Sequence, residues 1–137
     1  MIFQTIPKIN CHVLFCEYEE QHGIGASKFV ASDIRPNVRY IIELDRKRSD
    51  DAVFYECENQ RFQNFITDGT GFQKADGTFS DISIIAPHLD IAAVNLSCGY
   101  EYAHKLYEEM HLDVMERNVG RVISILHKYC GVFPYVE

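Results

Sequence analysis

Several features that would place a chain in a common class are absent from this sequence. Its 137 residues include no basic N-terminal stretch followed by a long apolar segment, so we expect no signal peptide. No window approaches the roughly 18 apolar residues of a membrane-spanning helix, so we expect no membrane partner. Internal repeats, low-complexity tracts and linkers are also missing. We therefore predict a cytoplasmic protein with a single domain over residues 1–137.

Positive charge and paired cysteines are scarce as well. The formal net charge is −7 at pH 7, and a nucleic-acid binder needs a basic face, so we expect no nucleic-acid partner. The five cysteines are odd in number and include no CxxC pair. This pattern argues against a disulfide framework or a zinc ribbon and favours buried thiols in a reducing compartment. The remaining composition is that of an ordinary globular domain, with 47% hydrophobic and 24% charged residues.

Apolar runs and turn residues predict an alternation of strands and helices along the chain. Strands are expected at residues 11–16, 40–44, 52–57 and 91–96. Helices are expected at 24–32, at 59–67, from Ser80-Asp81 until Pro87 or just before it, and at 112–129. Residues 69–77 and 99–109 are predicted to be loops. This alternation predicts an α/β fold, a three-layer sandwich with a mostly parallel central sheet.

The last predicted helix has the clearest apolar face. Its apolar side chains recur at i, i+3, i+4 spacing, which is typical of a helix that packs on a core. The face is predicted to consist of Leu112, Met115, Val119, Val122, Ile123 and Leu126.

Polar side chains follow three of the predicted strands. Glu19-Glu20 come after the first apolar run, Asp45 ends the second strand, and His104 lies in the loop after the last strand. Functional groups in α/β sheets gather at the carboxyl ends of strands, so we expect these residues to converge. Two adjacent carboxylates at such a place have one well-defined use. One binds a metal ion, and its neighbour takes a proton from metal-bound water.

Four segments of the chain carry motifs that support this interpretation. They are FCEYEEQHGIGA at 15–26, IELDR at 42–46, TFSD at 78–81, and AVNLSCGY at 93–100 followed by Ala103-His104 and Glu108. The first resembles a Glu-Glu-x-x-Gly-x-Gly-Ala segment, and the second a strand that ends in a ligand aspartate. The third is similar to a Ser/Thr-Asp segment before an apolar helix. The fourth is similar to a Gly-Tyr loop with a histidine and a glutamate four residues later. In this order, the segments resemble those of the co-catalytic zinc exopeptidases, the aminopeptidases and carboxypeptidases with a two-metal site.

The resemblance implies a zinc-exopeptidase-like (phosphorylase/hydrolase-like) fold, two zinc ions as cofactor, and peptide-bond hydrolysis by metal-activated water. It implies that Glu19 is the catalytic base or acid. Glu20 and His104 would bind one zinc ion, and Asp45 would bind the other. Asp81 would be a secondary site residue and not a ligand.

One departure from the family limits what the resemblance implies. The family's earlier ligands, a His-x-Asp motif and a metal-bridging aspartate, have no counterpart before Glu19, and residues 1–10 contain no acidic residue. The chain therefore resembles the C-terminal half of the catalytic domain, truncated at the N-terminus, with Met1 to Ile9 where a helix ends. A catalytic zinc needs about three protein ligands. We therefore expect a partial metallopeptidase-like domain that is incomplete or inactive alone.

The same departure predicts a partner. A sheet that lacks half of its strands has an unpaired edge, and exposed edges are normally paired or covered. We expect a homodimer or another homo-oligomer, or a second chain that supplies the N-terminal half. A peptide would be the substrate of the completed site.

Other interpretations stay open on the sequence alone. The chain could be a non-enzymatic binding or regulatory module, or the remnant of a truncated peptidase. Glu19-Glu20 could be an exposed pair at a helix start, Asp45 a turn residue, and His104 a loop histidine among tyrosines. Cys98 and His104 could be a nucleophile and its base, although the apolar strand before Cys98 favours a buried thiol.

Overall fold

The computed structural model describes residues 9–137. The prediction that a helix ends within Met1 to Ile9 therefore lies outside the described residues, except at Ile9. Within the described range there are four helices and six strands. The helices are α1 (Ile24–Ala31), α2 (Gln60–Thr67), α3 (Ile82–Leu89) and α4 (Leu112–Leu126). The strands are β1 (Ile41–Arg46), β2 (Asp51–Val53), β3 (Gln73–Ala75), β4 (Ala93–Ser97), β5 (Tyr100–Glu101) and β6 (Glu109–Met110).

Four of these strands form one sheet, in the order β1-β4-β2-β3. β1 is parallel to β4 and β2 is parallel to β3, while β2 and β4 are antiparallel. The protein therefore has a mixed α/β fold with a mostly parallel sheet, which confirms that part of the prediction. β5 and β6 form a separate antiparallel hairpin.

The centre of the sheet is β4, whose five residues are all buried. Successive side chains of a strand point to opposite faces, so Val94 and Leu96 lie on one face and Ala93 and Asn95 on the other. Val94 and Leu96 join a large apolar cluster with residues of α2 and α4. Ala93 joins a small cluster with two residues of α3. We call these two sides of the sheet the α2/α4 face and the α3 face.

α2 forms where local sequence signals agree. Asn59 caps its N-terminus, because the Asn59 side chain accepts a hydrogen bond from the Phe62 backbone N–H at 3.0 Å. Phe62 and Ile66 are four residues apart, share one side of the helix and are fully buried. The helix predicted at 59–67 is confirmed to within one residue.

α4 is confirmed as a helix, but its buried side differs from the predicted one. Asn118 and Val122 are buried, whereas Leu112 and Met115 at the start of the predicted face are exposed. Asn118 is drawn inward because its amide nitrogen donates to two backbone carbonyl oxygens, at 2.7 and 2.8 Å. A polar anchor therefore helps to set the rotation of this helix, and apolar spacing alone does not show it.

The strand predicted at residues 11–16 is wrong. These residues belong to no strand, and Val13 and Leu14 are 50% and 49% exposed. An extended apolar run becomes a strand only where a neighbouring strand accepts and donates its backbone hydrogen bonds. None of the described strands pairs with it. Glu19-Glu20 therefore follow an irregular segment and not a strand.

Other element boundaries differ for local reasons. β2 is shorter than predicted because Tyr55, with φ of 52°, adopts a left-handed conformation that ends the extended segment. Pro87 lies inside α3, which continues to Leu89 and ends at the left-handed Asp90. β3 and the β5–β6 hairpin lie in segments that were predicted to be loops. Among residues 9–137, no helix has both the length and the apolar character to cross a membrane.

Candidate functional site

Three predicted site residues line one cavity. Glu20 comes from the turn before α1, Asp45 from β1, and His104 from the loop between β5 and β6. The cavity is open and has a volume of about 400 Å³. Its other lining residues are Tyr100, Glu108, Glu109 and Met110. Four carboxylates thus face the cavity, and no described Lys or Arg lines it.

Glu20 and His104 approach each other directly at the rim of this cavity. Their closest atoms, Glu20 Oε1 and His104 Nε2, are 3.5 Å apart. Both side chains are mainly exposed, at 71% and 69%. His104 adopts a left-handed backbone with φ of 63°, and its N–H donates to Glu108 Oε2 at 2.9 Å. Glu108 therefore holds the loop that presents His104, and the histidine is not packed into a core of tyrosines.

Asp45 enters the cavity from an irregular point of β1. The pairing of β1 with β4 shifts register between Glu43 and Arg46, which marks a β-bulge. Asp45 N–H donates to the side-chain oxygen of Asn95 at 3.0 Å. The Tyr100 hydroxyl donates to the Asp45 carbonyl oxygen at 3.2 Å. Side chains from two other strands therefore hold both backbone polar groups of Asp45.

Burial and, after it, repulsion among carboxylates raise the pKa values of two acids in this region. The pKa of Asp45 is raised by partial burial and by the charges of Glu20 and Asp81, while His104 lowers it. The pKa of Glu19 is raised by partial burial and by Asp45, Glu20 and Asp81, and His104 again lowers it. Glu19 is thus electrostatically coupled to the residues of the cavity. A cation placed among these groups would relieve the repulsion.

A second layer of polar residues lies below Asp45 on the α3 face and was missed in the sequence. The Ser80 hydroxyl donates a short hydrogen bond to Glu43, and Asn95 Nδ2 donates to the hydroxyl oxygens of Ser80 and Tyr55 at 3.2 and 3.3 Å. Burial raises the pKa of Glu43 to about 7 despite the Ser80 hydrogen bond, and the charges of Asp45, Asp81 and Glu19 add to that increase. A sequence signal did exist, because Asn95 interrupts an otherwise apolar strand and Glu43 lies two residues before Asp45.

Asp81 lies next to this layer, at the start of α3. The residue is only 7% exposed, its side chain makes no capping hydrogen bond, and its Oδ1 has no hydrogen-bond partner among the described residues. Burial, followed by the hydrogen bond and charge of Asp81, raises the pKa of Cys16 to about 12. Asp81 is not among the residues that line the cavity. Its role as a secondary site residue therefore stays a prediction.

The nucleophile interpretation of Cys98 finds no support in its surroundings. The Cys98 thiol contacts the Leu96 carbonyl oxygen at 3.8 Å, and burial raises its pKa to about 11. A thiol with so high a pKa carries little thiolate near neutral pH. All five cysteines are unpaired, and two of them, Cys57 and Cys130, are buried.

The described donor atoms of the cavity are of a kind that binds zinc, but they are not arranged as a zinc centre. Imidazole nitrogen and carboxylate oxygen are common zinc ligands, and Glu20 and His104 offer one of each. Within residues 9–137, however, no group of three or more His, Cys, Asp and Glu side chains is arranged to hold a metal ion. The described residues therefore offer donor atoms that zinc accepts, and zinc as a cofactor stays a prediction.

A second cavity, of about 390 Å³, lies between α3 and the segment after β2. It is mainly apolar and contains none of the predicted site residues. Among known proteins, no family model, no curated protein and no solved structure matches this chain. The interpretation of the site therefore depends on its own residues and geometry.

Proposed function

We propose that this chain provides half of a zinc exopeptidase site on a zinc-exopeptidase-like, three-layer α/β fold. One observation carries the proposal. Glu20, Asp45 and His104 come from three separate parts of the chain and face one acidic cavity. An exposed Glu-His pair alone carries little information, whereas a third oxygen donor, Asp45 from a separate strand, supports a metal-binding role for the cavity.

In this proposal Glu20 and His104 would hold one zinc ion, Asp45 would hold a second, and Glu19 would serve as the base or acid that holds the proton. Bound zinc would supply Lewis acidity, which polarises a peptide carbonyl and makes water easier to deprotonate. Glu108 keeps the His104 loop in place through the His104 N–H. The remaining ligands come from outside residues 9–137. The substrate of the completed site is a peptide.

The charge of the cavity supports a cation as its occupant. Four carboxylates line it, and the pKa values of Asp45 and Glu19 are raised first by burial and then by the charges of neighbouring acids. Such repulsion destabilises the protein unless a positive charge compensates it. A metal ion bound by Glu20 and His104 would provide that charge.

A non-enzymatic binding or regulatory module is the second candidate. It is favoured by the high exposure of Glu20 and His104 and by the lack of a described group of three metal ligands. In that case the acidic cavity would bind a cationic partner without chemistry at a metal. Zinc binding and activity separate the two candidates.

The test is a Zn²⁺ titration of the full chain, followed by NMR. The chain offers a control in His111, which also pairs with a glutamate, its Nε2 lying 3.6 Å from Glu109 Oε1, but which is not itself among the residues that line the cavity. We expect weak Zn²⁺ binding that shifts the signals of Glu20, Asp45 and His104. His104→Ala should weaken it at least about tenfold, whereas His111→Ala should leave it unchanged.

Three outcomes would contradict the proposal. If Zn²⁺ perturbs none of the three residues, the metal site is wrong. If the His111→Ala variant loses as much affinity as His104→Ala, the ligands are misassigned. Strong chelator-sensitive aminopeptidase activity of the isolated chain would show that the site is complete, contrary to the expectation that this chain is inactive alone.

A further inference from the structure

The β-bulge in β1 separates two acids that a regular strand would place on the same face. Glu43 pairs with Asn95 and Arg46 pairs with Ser97, so three steps along β1 match two steps along β4. One residue of β1 is therefore extra at this point. Glu43 joins the buried layer of Ser80 and Asn95, while Asp45 lines the acidic cavity.

A bulge removes backbone groups from the ladder, and these groups need new partners. At Asp45 both partners are side chains. The Asp45 N–H donates to Asn95 Oδ1 at 3.0 Å, and the Asp45 carbonyl oxygen accepts from the Tyr100 hydroxyl at 3.2 Å. Asn95 comes from β4 and Tyr100 from β5, so Asp45 is held from two directions.

We infer that Asn95 and Tyr100 are positioning residues that hold Asp45 at the bulge with its carboxylate in the acidic cavity. This inference rests on the proposed function, because it concerns a proposed ligand of that site. Neither residue is a zinc ligand in this account, and Tyr100, although it lines the cavity, contributes through its hydrogen bond to Asp45. They act through the backbone of Asp45.

The chemistry of Asn95 suits this task. The residue is 2% exposed, and its amide nitrogen donates to the hydroxyl oxygens of Ser80 and Tyr55. Because both N–H groups have acceptors, the amide orientation is set, and the oxygen faces the Asp45 N–H. An amide has two donors and an acceptor in one plane, which neither a carboxylate nor an apolar side chain can reproduce.

The same strand contains a matched control. Ser97 is two residues after Asn95 and fully buried. Its hydroxyl oxygen also accepts from a distant backbone N–H, that of Asp51 at 3.0 Å, and its hydroxyl donates to the Lys47 carbonyl oxygen at 2.8 Å. Ser97 therefore holds the segment after β1, and it makes no hydrogen bond to Asp45.

The experiment compares Asn95→Ala, Tyr100→Phe and Ser97→Ala in the full chain. Amide hydrogen exchange is measured at Asp45 and Asp51, and Zn²⁺ alone is titrated while the Asp45 signals are followed. We expect Asn95→Ala to speed exchange at Asp45 about tenfold and to remove the zinc response of Asp45, while that of His104 persists. Tyr100→Phe should weaken the Asp45 response about threefold. Ser97→Ala should speed exchange at Asp51 and leave Asp45 unchanged.

Other outcomes would overturn either the positioning inference or the proposed function. An unchanged Asp45 response in both Asn95→Ala and Tyr100→Phe overturns the inference, and so does an equal loss in Ser97→Ala. If Asn95→Ala does not fold, Tyr100→Phe gives the decision, because it removes one hydroxyl and keeps the ring. If zinc perturbs nothing in the unmodified chain, the proposed function fails. The exchange rates at Asp45 then still support or overturn the positioning by themselves.

Discussion

The two faces of the sheet differ in what fills them. On the α2/α4 face, thirteen buried residues form one apolar cluster, which includes Phe62, Ile66 and Leu96. On the α3 face, the described apolar cluster has only Ile82, Ala86 and Ala93. Glu43, Ser80 and Asn95 form the polar layer next to that small cluster, and Asp45, two residues after Glu43, lines the acidic cavity.

The two faces of the sheet therefore contribute differently, one mainly to stability and the other to the candidate site. Apolar burial contributes about 25 cal/mol for each Å² removed from water, so most of the stability comes from the α2/α4 face. Buried polar groups destabilise a fold unless their hydrogen bonds are made. On the α3 face, the buried groups of the polar layer make such hydrogen bonds and support Asp45 in the candidate site. Four predictions test whether substitutions on the two faces change stability to different extents.

The largest effect is expected on the α2/α4 face. Phe62 is fully buried and contacts Tyr40, Phe54 and Phe133. Phe62→Ala should lower the free energy of unfolding by about 3–5 kcal/mol, because it removes buried apolar surface and leaves a cavity. Urea denaturation measures the change. Phe79→Ala is the control, since Phe79 is 42% exposed and should lose about 1 kcal/mol or less. Similar losses for the two variants would remove the contrast between buried and exposed aromatic residues.

The next effect comes from the buried acid of the α3 face. Burial raises the pKa of Glu43 from an ordinary 4.5 to about 7, so the folded state holds a proton that the unfolded state releases. Stability should therefore fall as the pH rises from about 4.5 to 7 and stay lower above that. Glu43→Gln should remove this loss, on the order of 2 kcal/mol at pH 8.

The measurement is urea denaturation of both proteins at several pH values, because other groups cancel in the difference between them. Glu56→Gln serves as an exposed control and should follow the unmodified chain. A difference between Glu43→Gln and the unmodified chain that does not change between pH 5 and 8 would show that Glu43 does not titrate in this range.

A smaller effect is expected where the Glu19-Glu20 turn packs on α3. Gly23 has a left-handed φ of 66°, and a Cβ there would lie 2.7 Å from Ile84 Cδ1 and 3.3 Å from Asp81 Oδ1. Gly23→Ala should lower stability by about 1–2 kcal/mol through strain and close contact. Gly120→Ala is the opposite control. It lies within α4 with nothing within 4 Å, and it should raise stability by up to about 1 kcal/mol. Thermal unfolding that shows the same sign for both would contradict this account.

The smallest effect on stability is expected at the site itself. Glu20 and His104 form an exposed pair, and such pairs contribute little to folding. Glu20→Gln and His104→Ala should each change the free energy of unfolding by less than about 0.5 kcal/mol. A loss of more than 1 kcal/mol in denaturant titrations would mean that these residues hold the structure together and do not form an independent site.

Sequence reasoning worked best where neighbours along the chain decide the outcome. The Asn59 cap and the spacing of Phe62 and Ile66 are sufficient to predict α2. It worked less well where a partner far along the chain is needed. Residues 11–16 have a strand-like composition, but none of the strands within residues 9–137 pairs with them, and the short β3 forms because β2 is available for pairing.

The convergence of Glu20, Asp45 and His104 was expected from their places after predicted strands. The structure places them in one cavity, although Glu20 follows a turn and not a strand. The reason behind this prediction therefore holds for Asp45 and His104 but not for Glu20. Asp45 and His104 reach the cavity from β1 and from the hairpin after β4, whereas Glu20 reaches it through the turn that packs on α3.

The sequence by itself determined the elements whose signals are local: the four helices, the apolar central strand, and the acids and histidine that can do chemistry. Only the tertiary structure decided which of them meet. The Asp45 backbone is held by Asn95, fifty residues away, and by Tyr100, fifty-five residues away. A helix is specified by side chains three or four positions apart. A bulge and its side-chain partners instead depend on strand pairing over distances that no local pattern encodes.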